Sequence, residues 1–427
     1  MEATHTNCRF SIGDTENIKN KVLNYAKRFS TFCFLDNHQY QLPYHSAECL
    51  LALGARSFIS APAGNALSLL DDFIRQKPRW LFGHLAYDLK NETGQLRSSN
   101  PDGIGFPDLY FFEPEILIRF DGSVMEIEAD DPELVWQAIL GQETAALQQN
   151  TVISLHSRFN RQEYMDTVQQ LRHHIQRGDC YEINFCQEFY GEIPIDPLQV
   201  YLKLAELSPN PFSAFYRVND QWLICASPER FLRRKGTELL SQPIKGTSRR
   251  VLSSREMDQQ SRESLRNSEK DRSENVMVVD LVRNDLSRIC EEGTVFVEEL
   301  FGIYSFPQVH QMISTIKGRV DPETSFADMI RASFPMGSMT GAPKKKVMEL
   351  IEKYERTRRG IFSGAVGYID PSGDFDLNVV IRSIMYNAAT NYVSIQAGSG
   401  ITFYSEPELE WEECMMKVEA MMRAVSS

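Results

Sequence analysis

The sequence predicts an α+β fold built on mixed, mainly antiparallel sheets, and three features lead there. Long strand-like runs, such as Asp376 to Tyr386 and Tyr392 to Ala397, follow one another with no helix between them. Other stretches repeat apolar residues every three or four positions, the mark of a helix with one buried face. Helices and strands do not alternate one for one, as the crossovers of a parallel sheet would require.

Taken in order, Ala66 to Arg75 has helical spacing, and Trp80 to Gly83 and Glu115 to Ile118 have strand character. The polar stretch Gly141 to Asn150 is the predicted boundary, dividing an N-terminal region, 1–145, from a second region, 146–427. Asn160 followed by Glu163 forms a capping-box pattern ahead of Tyr164, Val168, Leu171 and Ile175, with Gly178 as the stop. A second helix is predicted from Lys270 to Ile289. A third starts with Pro343 at its first position, and the last starts near Pro407. Leu239 to Ile244 and Ile361 to Ile369 complete the predicted strands.

Composition narrows the functional classes. The chain has 427 residues and a net charge of −13, with 58 acids against 45 bases. That excess argues against a duplex nucleic-acid binder, which needs a basic face. It leaves room for a small anion in a locally positive pocket. No stretch predicts a membrane span, because the most apolar one, Cys49 to Leu70, is broken by Arg56, Gly54, Pro62, Gly64 and Asn65. The N-terminus lacks the apolar core of a secretion signal. The 8 cysteines show no paired spacing, so reduced thiols in a cytoplasmic protein are expected.

Several residues look chemical. Lys245, in Gln242-Pro243-Ile244-Lys245-Gly246-Thr247, is either a solvated strand-end lysine or an amine whose pKa is lowered for nucleophilic work. Asp271 and Glu274 are three apart on one helix, and Glu410 and Glu413 repeat that spacing on the last one. They are either surface acids or a pair of carboxylate doublets suited to Mg²⁺. Arg382, among Val380, Ile381 and Ile384, either pairs with a buried acid or receives a ligand carboxylate. The segments Gly337 to Pro343 and Gly398-Ser399-Gly400 are predicted turns whose amides could face an anion. Glu229, in Ser227-Pro228-Glu229-Arg230-Phe231, is an acid–base candidate or a partner of Arg230.

The order of these segments resembles the chorismate-utilising enzymes, the family of anthranilate, aminodeoxychorismate, isochorismate and salicylate synthases. Gly178-Asp179-Cys180-Tyr181, the Ser227 to Phe231 and Pro243 to Thr247 segments, and the run Glu274 to Leu286 carry the resemblance. So do Gly337 to Lys344, Gly364 to Tyr368, Arg382, Gly398 to Gly400 and Glu410 to Glu413. The resemblance is strong from about Ser157 onward and weak before it. It implies the family's sandwich of large sheets with helices outside. Anthranilate synthases typically carry alanine where Lys245 stands, and the lysine form resembles the aminodeoxychorismate synthase branch.

The resemblance also implies roles. Lys245 would attack chorismate C2 as the 4-hydroxyl leaves, with Glu229 as general acid–base. Its ammonium would lose its proton readily beside the site's cations. Glu274 and Glu413 would hold Mg²⁺, backed by Asp271 and Glu410, with Lys417 nearby. Arg382 and the amides of Gly398, Ser399 and Gly400 would take the enolpyruvyl carboxylate. Gly246, Thr247 and Thr340 would line the ring. Two positions depart from the anthranilate synthase pattern: Gln311 replaces a histidine and Phe362 a tyrosine, and His310 receives no role. No cysteine sits in a Gly-x-Cys-x-Gly turn, so a separate glutamine amidotransferase is the expected ammonia source. The alternatives are an anthranilate synthase component I and a non-enzymatic paralogue.

Overall fold

In the computed structural model, residues 6–40, 44, 47–144 and 154–426 are described. Among them, two antiparallel sheets of 12 and 10 strands form the body. Strands from both sides of residue 145 share each sheet. In the larger one, Thr31–Asp36 pairs with Phe212–Val218, and in the smaller one, Leu81–Leu85 pairs with Ala365–Ile369.

Side-chain alternation explains the layering. On strand Thr31–Asp36, Cys33 faces the smaller sheet while Phe32 and Phe34 face the other way. On Cys49–Leu53, Leu50 and Ala52 join the inter-sheet core with Phe82, Phe111 and Leu232. Leu51 and Leu53 instead join a second core with Val22, Tyr164, Leu204 and Val418 from the covering helices. Both faces of the larger sheet are therefore buried at this strand, which is why Cys49-Leu50-Leu51-Ala52-Leu53 has no polar position. The expected sandwich with outer helices is what forms.

The local signals mostly hold. Ala66–Arg75 is a helix at the predicted bounds, and Asn160 and Glu163 form a complete capping box before Arg161–Gln176. Helix Glu269–Ser287 is capped by Ser268, whose side chain accepts from the Asp271 amide. Pro343 is the N-cap of helix Lys344–Tyr354 rather than its first residue. Gly141 caps helix Pro132–Leu140, and the rest of the predicted boundary lies largely in 145–153, outside the described residues.

Two predicted strands are broken. The run Asp376 to Tyr386 splits into Phe375–Asn378 in the smaller sheet and Ser383–Asn387 in the larger. Residues 379–382 carry the chain from one sheet to the other, with Val379 and Val380 fully buried, so the apolar run there marks a corner. Leu239 to Ile244 splits at Pro243, which has no N–H to continue a ladder, into Glu238–Gln242 and Ile244–Arg249. No described helix is long and apolar enough to cross a membrane.

Candidate active site

A cavity of about 390 Å³ opens where the two sheets and helices Glu269–Ser287 and Pro407–Val425 converge. Strand Ile244–Arg249 supplies Lys245. Opposite Val309–Arg319, its register slips between Ile244 and Thr247, a bulge that re-aims the intervening side chains. Gly246 takes φ +97° within that bulge, and a Cβ there would lie 3.0 Å from the Asp271 Cβ. Only glycine suits both the angle and the space.

Lys245 is held by a residue that the motifs did not flag. Its Nζ donates to Glu182 Oε1 at 2.7 Å, and Glu182 is 2% exposed. Burial opposes the lysine charge, but Glu182 first, then Glu274 and Glu413, raise its pKa. Carboxylates rather than cations lie nearest this nitrogen, so the protein's own groups favour the ammonium, and the readily deprotonated amine needs added positive charge. The available signal was short: Glu182 directly follows Gly178-Asp179-Cys180-Tyr181 and shares a strand face with the cavity residue Asn184.

Glu229 sits where strand Gln221–Ser227 has just ended. Its amide donates to Ser227 Oγ at 3.2 Å, and that hydroxyl donates to the Val379 carbonyl at 2.6 Å. The carboxyl lines the cavity at 4% exposure, and burial pushes its pKa up to about 7, against smaller opposing effects of Ser338 and Lys245. The open choice about Arg230 is settled, since that guanidinium binds Asp376 and Gln242 instead.

Arg382 does not share a strand face with Val380 and Ile384. It occupies the corner between strands with φ +52° and lines the cavity. No carboxylate lies within 4.0 Å of it among the described residues, and its Nη1 donates to the Lys417 carbonyl at 3.3 Å. Burial lowers its pKa, with Glu413 opposing. A guanidinium so placed can accept a ligand carboxylate.

Gly398-Ser399-Gly400 is not a turn. The three residues continue strand Tyr392–Ile401 against Glu182–Glu192. Opposite them, the Cys186 and Asn184 amides donate elsewhere, to Glu355 and to the Thr340 carbonyl. Antiparallel alternation then commits the Ser399 amide to the ladder and turns the Gly398 and Gly400 backbone groups outward, beyond the end of Ser383–Asn387. Lys417 Nζ meets the Gly398 carbonyl there at 2.8 Å. The Ser399 hydroxyl donates to Glu410. The Thr340 hydroxyl donates to the Met336 carbonyl, so Ser338 and Met339 line the cavity in its place. Thr247 and Gly246 line it as expected.

The acidic doublets face each other across the opening. Asp271, Glu274 and Glu413 line the cavity, and Glu410 is buried behind it. Burial pushes Glu274 up to about 7, and among the described residues its Oε1 has no hydrogen-bond partner. Although burial works against the Glu413 charge, Lys417 at 2.7 Å helps hold its carboxyl down to about 2. Lys270 lies 3.9 Å from Glu274 and 3.5 Å from Glu410. Among the described residues no group of three or more His, Cys, Asp or Glu could hold a metal. Two hard carboxylates match a cation that keeps most of its water. Gln311 and Phe362 line the same cavity, and Gln311 Oε1 is buried without a hydrogen-bond partner among the described residues. His310, between Ser305 and Asp258, does not line it.

A buried lysine, a high-pKa carboxylic acid, a guanidinium and facing carboxylates in one cavity define an enzyme site for a small anionic substrate. The chain belongs to the chorismate binding enzyme family, whose pattern matches residues 32–423, and it is an enzyme acting on chorismate. It is 35% identical over 352 residues to aminodeoxychorismate synthase component 1 of Klebsiella aerogenes, covering 81% of this chain and 77% of that one. It is 32% identical over 361 residues to anthranilate synthase component 1 of Thermus thermophilus, covering 80% and 76%. The crystal structure of anthranilate synthase component I from Streptococcus pneumoniae superposes with a TM-score of 0.77 at 25% identity, over 90% of this chain and 95% of that one.

Proposed function

We propose that this chain aminates chorismate to 4-amino-4-deoxychorismate, as component I of an aminodeoxychorismate synthase. The observation that carries this reading is the Lys245 side chain, buried in the same cavity as the high-pKa acid Glu229. Lys245 Nζ adds to C2 of the diene, the two double bonds shift, and the C4–O bond breaks. Glu229, protonated over much of the neutral range, gives its proton so that water departs instead of hydroxide. Ammonia then bonds to C4, the double bonds shift back, and the C2–Nζ bond breaks to restore Lys245. Arg382 and the outward Gly398 and Gly400 amides bind a substrate carboxylate and orient the ring over the amine.

Glu274 and Glu413 would hold Mg²⁺, and the buried Glu274 oxygen that accepts no hydrogen bond among the described residues supports that assignment. The ion would supply positive charge against the ring carboxylate. Asp271 on the cavity wall and Glu410 buried behind it would add negative charge around that site. The relatives named as components suggest a partner, read here as a glutamine amidotransferase supplying ammonia to a cytoplasmic, folate-directed pathway.

The test is to incubate the chain with chorismate, Mg²⁺ and ammonium and to identify the products by mass. Aminodeoxychorismate without pyruvate is expected. Anthranilate with pyruvate would assign the chain to the other branch, and no turnover would favour a non-enzymatic role.

A further inference from the structure

We propose that Glu182 positions Lys245 and accepts the proton that Lys245 must shed before its nitrogen bonds to substrate carbon. The inference rests on the reading of Lys245 as nucleophile and adds the base which that reading lacks. An ammonium has no lone pair, so a carbon–nitrogen bond requires prior loss of one proton.

The geometry singles out one acceptor. Lys245 is approached by Glu182 from strand Glu182–Glu192, by Asp271 and Glu274 from helix Glu269–Ser287, by Glu413 from helix Pro407–Val425, and by Glu229 beyond strand Gln221–Ser227. The cations Lys270, Arg382 and Lys417 line the same cavity. Of the carboxylates, only Glu182 lies within 4.0 Å of Nζ among the described residues, at 2.7 Å.

Glu182 is built for the contact. Its second oxygen, Oε2, is buried with no hydrogen-bond partner among the described residues, and Oε1 is held by Lys245. Its backbone is fixed where three strands meet: the Tyr181 amide donates to the Ala342 carbonyl and the Asn184 amide to the Thr340 carbonyl. Space for the pair comes from Gly400, where a Cβ would overlap both Lys245 Nζ and Glu182 Oε1. Substrate entering the cavity displaces water from the pair and removes hydration that favours its charged form, which brings the neutral pair closer in energy.

The protons balance across the cycle. The Lys245 ammonium passes one proton to Glu182, Nζ bonds to C2, and the C4 hydroxyl leaves as water with the Glu229 proton. When ammonia bonds to C4, the lysine leaves with its electron pair and recovers its proton from Glu182. The new ammonium on C4 returns a proton to Glu229.

The experiment compares the full-length wild-type chain with Glu182→Gln and Glu182→Asp, with thermal melts to confirm folding. Two readouts are taken: chorismate amination against pH, and the rate of Lys245 acylation by an amine reagent against pH, by peptide mass. Glu182→Gln should keep KM within about threefold and lose about 100-fold in kcat at pH 7, and its deficit against the wild type should shrink roughly tenfold per pH unit above that. Glu182→Asp should regain part of the loss. The acylation midpoint should move to lower pH in Glu182→Gln. Wild-type kcat with an unchanged pH profile in Glu182→Gln would overturn the proposal, and so would an unmoved acylation midpoint. The acylation arm requires no turnover, so a wild-type chain that makes no aminodeoxychorismate would defeat the functional reading while the Lys245–Glu182 coupling is still decided.

Discussion

Arg230 and Asp376 are joined by two parallel hydrogen bonds, Nε to Oδ1 at 2.9 Å and Nη2 to Oδ2 at 3.0 Å, and this leaves Glu229 without a guanidinium partner. Burial then dominates, and the Glu229 carboxyl titrates near 7. As a general acid it must be protonated, so kcat should fall as pH rises through about 7. Glu229→Gln should lose that limb and about 10²–10⁴-fold in kcat. A pH–rate profile of both chains checks this.

The same shift predicts a stability effect. The folded pKa of Glu229, about 7, lies above its ordinary value of 4.5. Its proton therefore stabilises the fold fully below about 4.5, and that contribution is lost as pH rises through 7. Glu229→Gln cannot ionise. It should exceed the wild type by up to about 3 kcal/mol at pH 8, with the gap closing towards pH 4.5. Urea unfolding at both pH values measures it.

Arg382 has no carboxylate within 4.0 Å among the described residues, so its charge is available to substrate. Arg382→Ala should raise KM for chorismate roughly 10–100-fold, the loss of about 1.5–3 kcal/mol from a charged hydrogen bond. Arg382→Lys should recover only part, because an ammonium cannot make the bidentate contact. Steady-state kinetics separate KM from kcat.

Gly246→Ala places a Cβ at φ +97° and 3.0 Å from the Asp271 side chain. It should cost about 1–3 kcal/mol in unfolding free energy. It should also lower kcat by displacing the bulge that carries Lys245.

Chelation should abolish amination, and added Mg²⁺ should restore it. Glu274→Gln should weaken the Mg²⁺ requirement's half-saturation by tenfold or more, read from activity against Mg²⁺ concentration.

Much of this molecule is legible in its sequence because the signals are local. The Asn160–Glu163 capping box and the apolar face of Ala66–Arg75 need no knowledge of distant chain. Glu229, Lys245, Glu274, Arg382 and Glu413 also converge on one cavity, as the order of motifs implies. What escaped depends on tertiary placement. Whether Val379 and Val380 sit in a strand or turn a corner between sheets is not written in their side chains, since both environments are apolar. Gly398-Ser399-Gly400 has turn composition, yet it lies in a strand because its neighbours pass too close for side chains. The carboxylate beside Lys245 is not legible in its motif because Glu182 lies 63 positions away in sequence.

The central claim is a covalent bond between Lys245 and substrate, and trapping it is the most direct test. The chain is mixed with chorismate and Mg²⁺ without ammonia, quenched, digested, and the peptide containing Lys245 weighed. That peptide should carry the mass of chorismate less one water, and Lys245→Ala should carry none. An unmodified Lys245 peptide from a chain that still makes aminodeoxychorismate when ammonium is added would contradict the account.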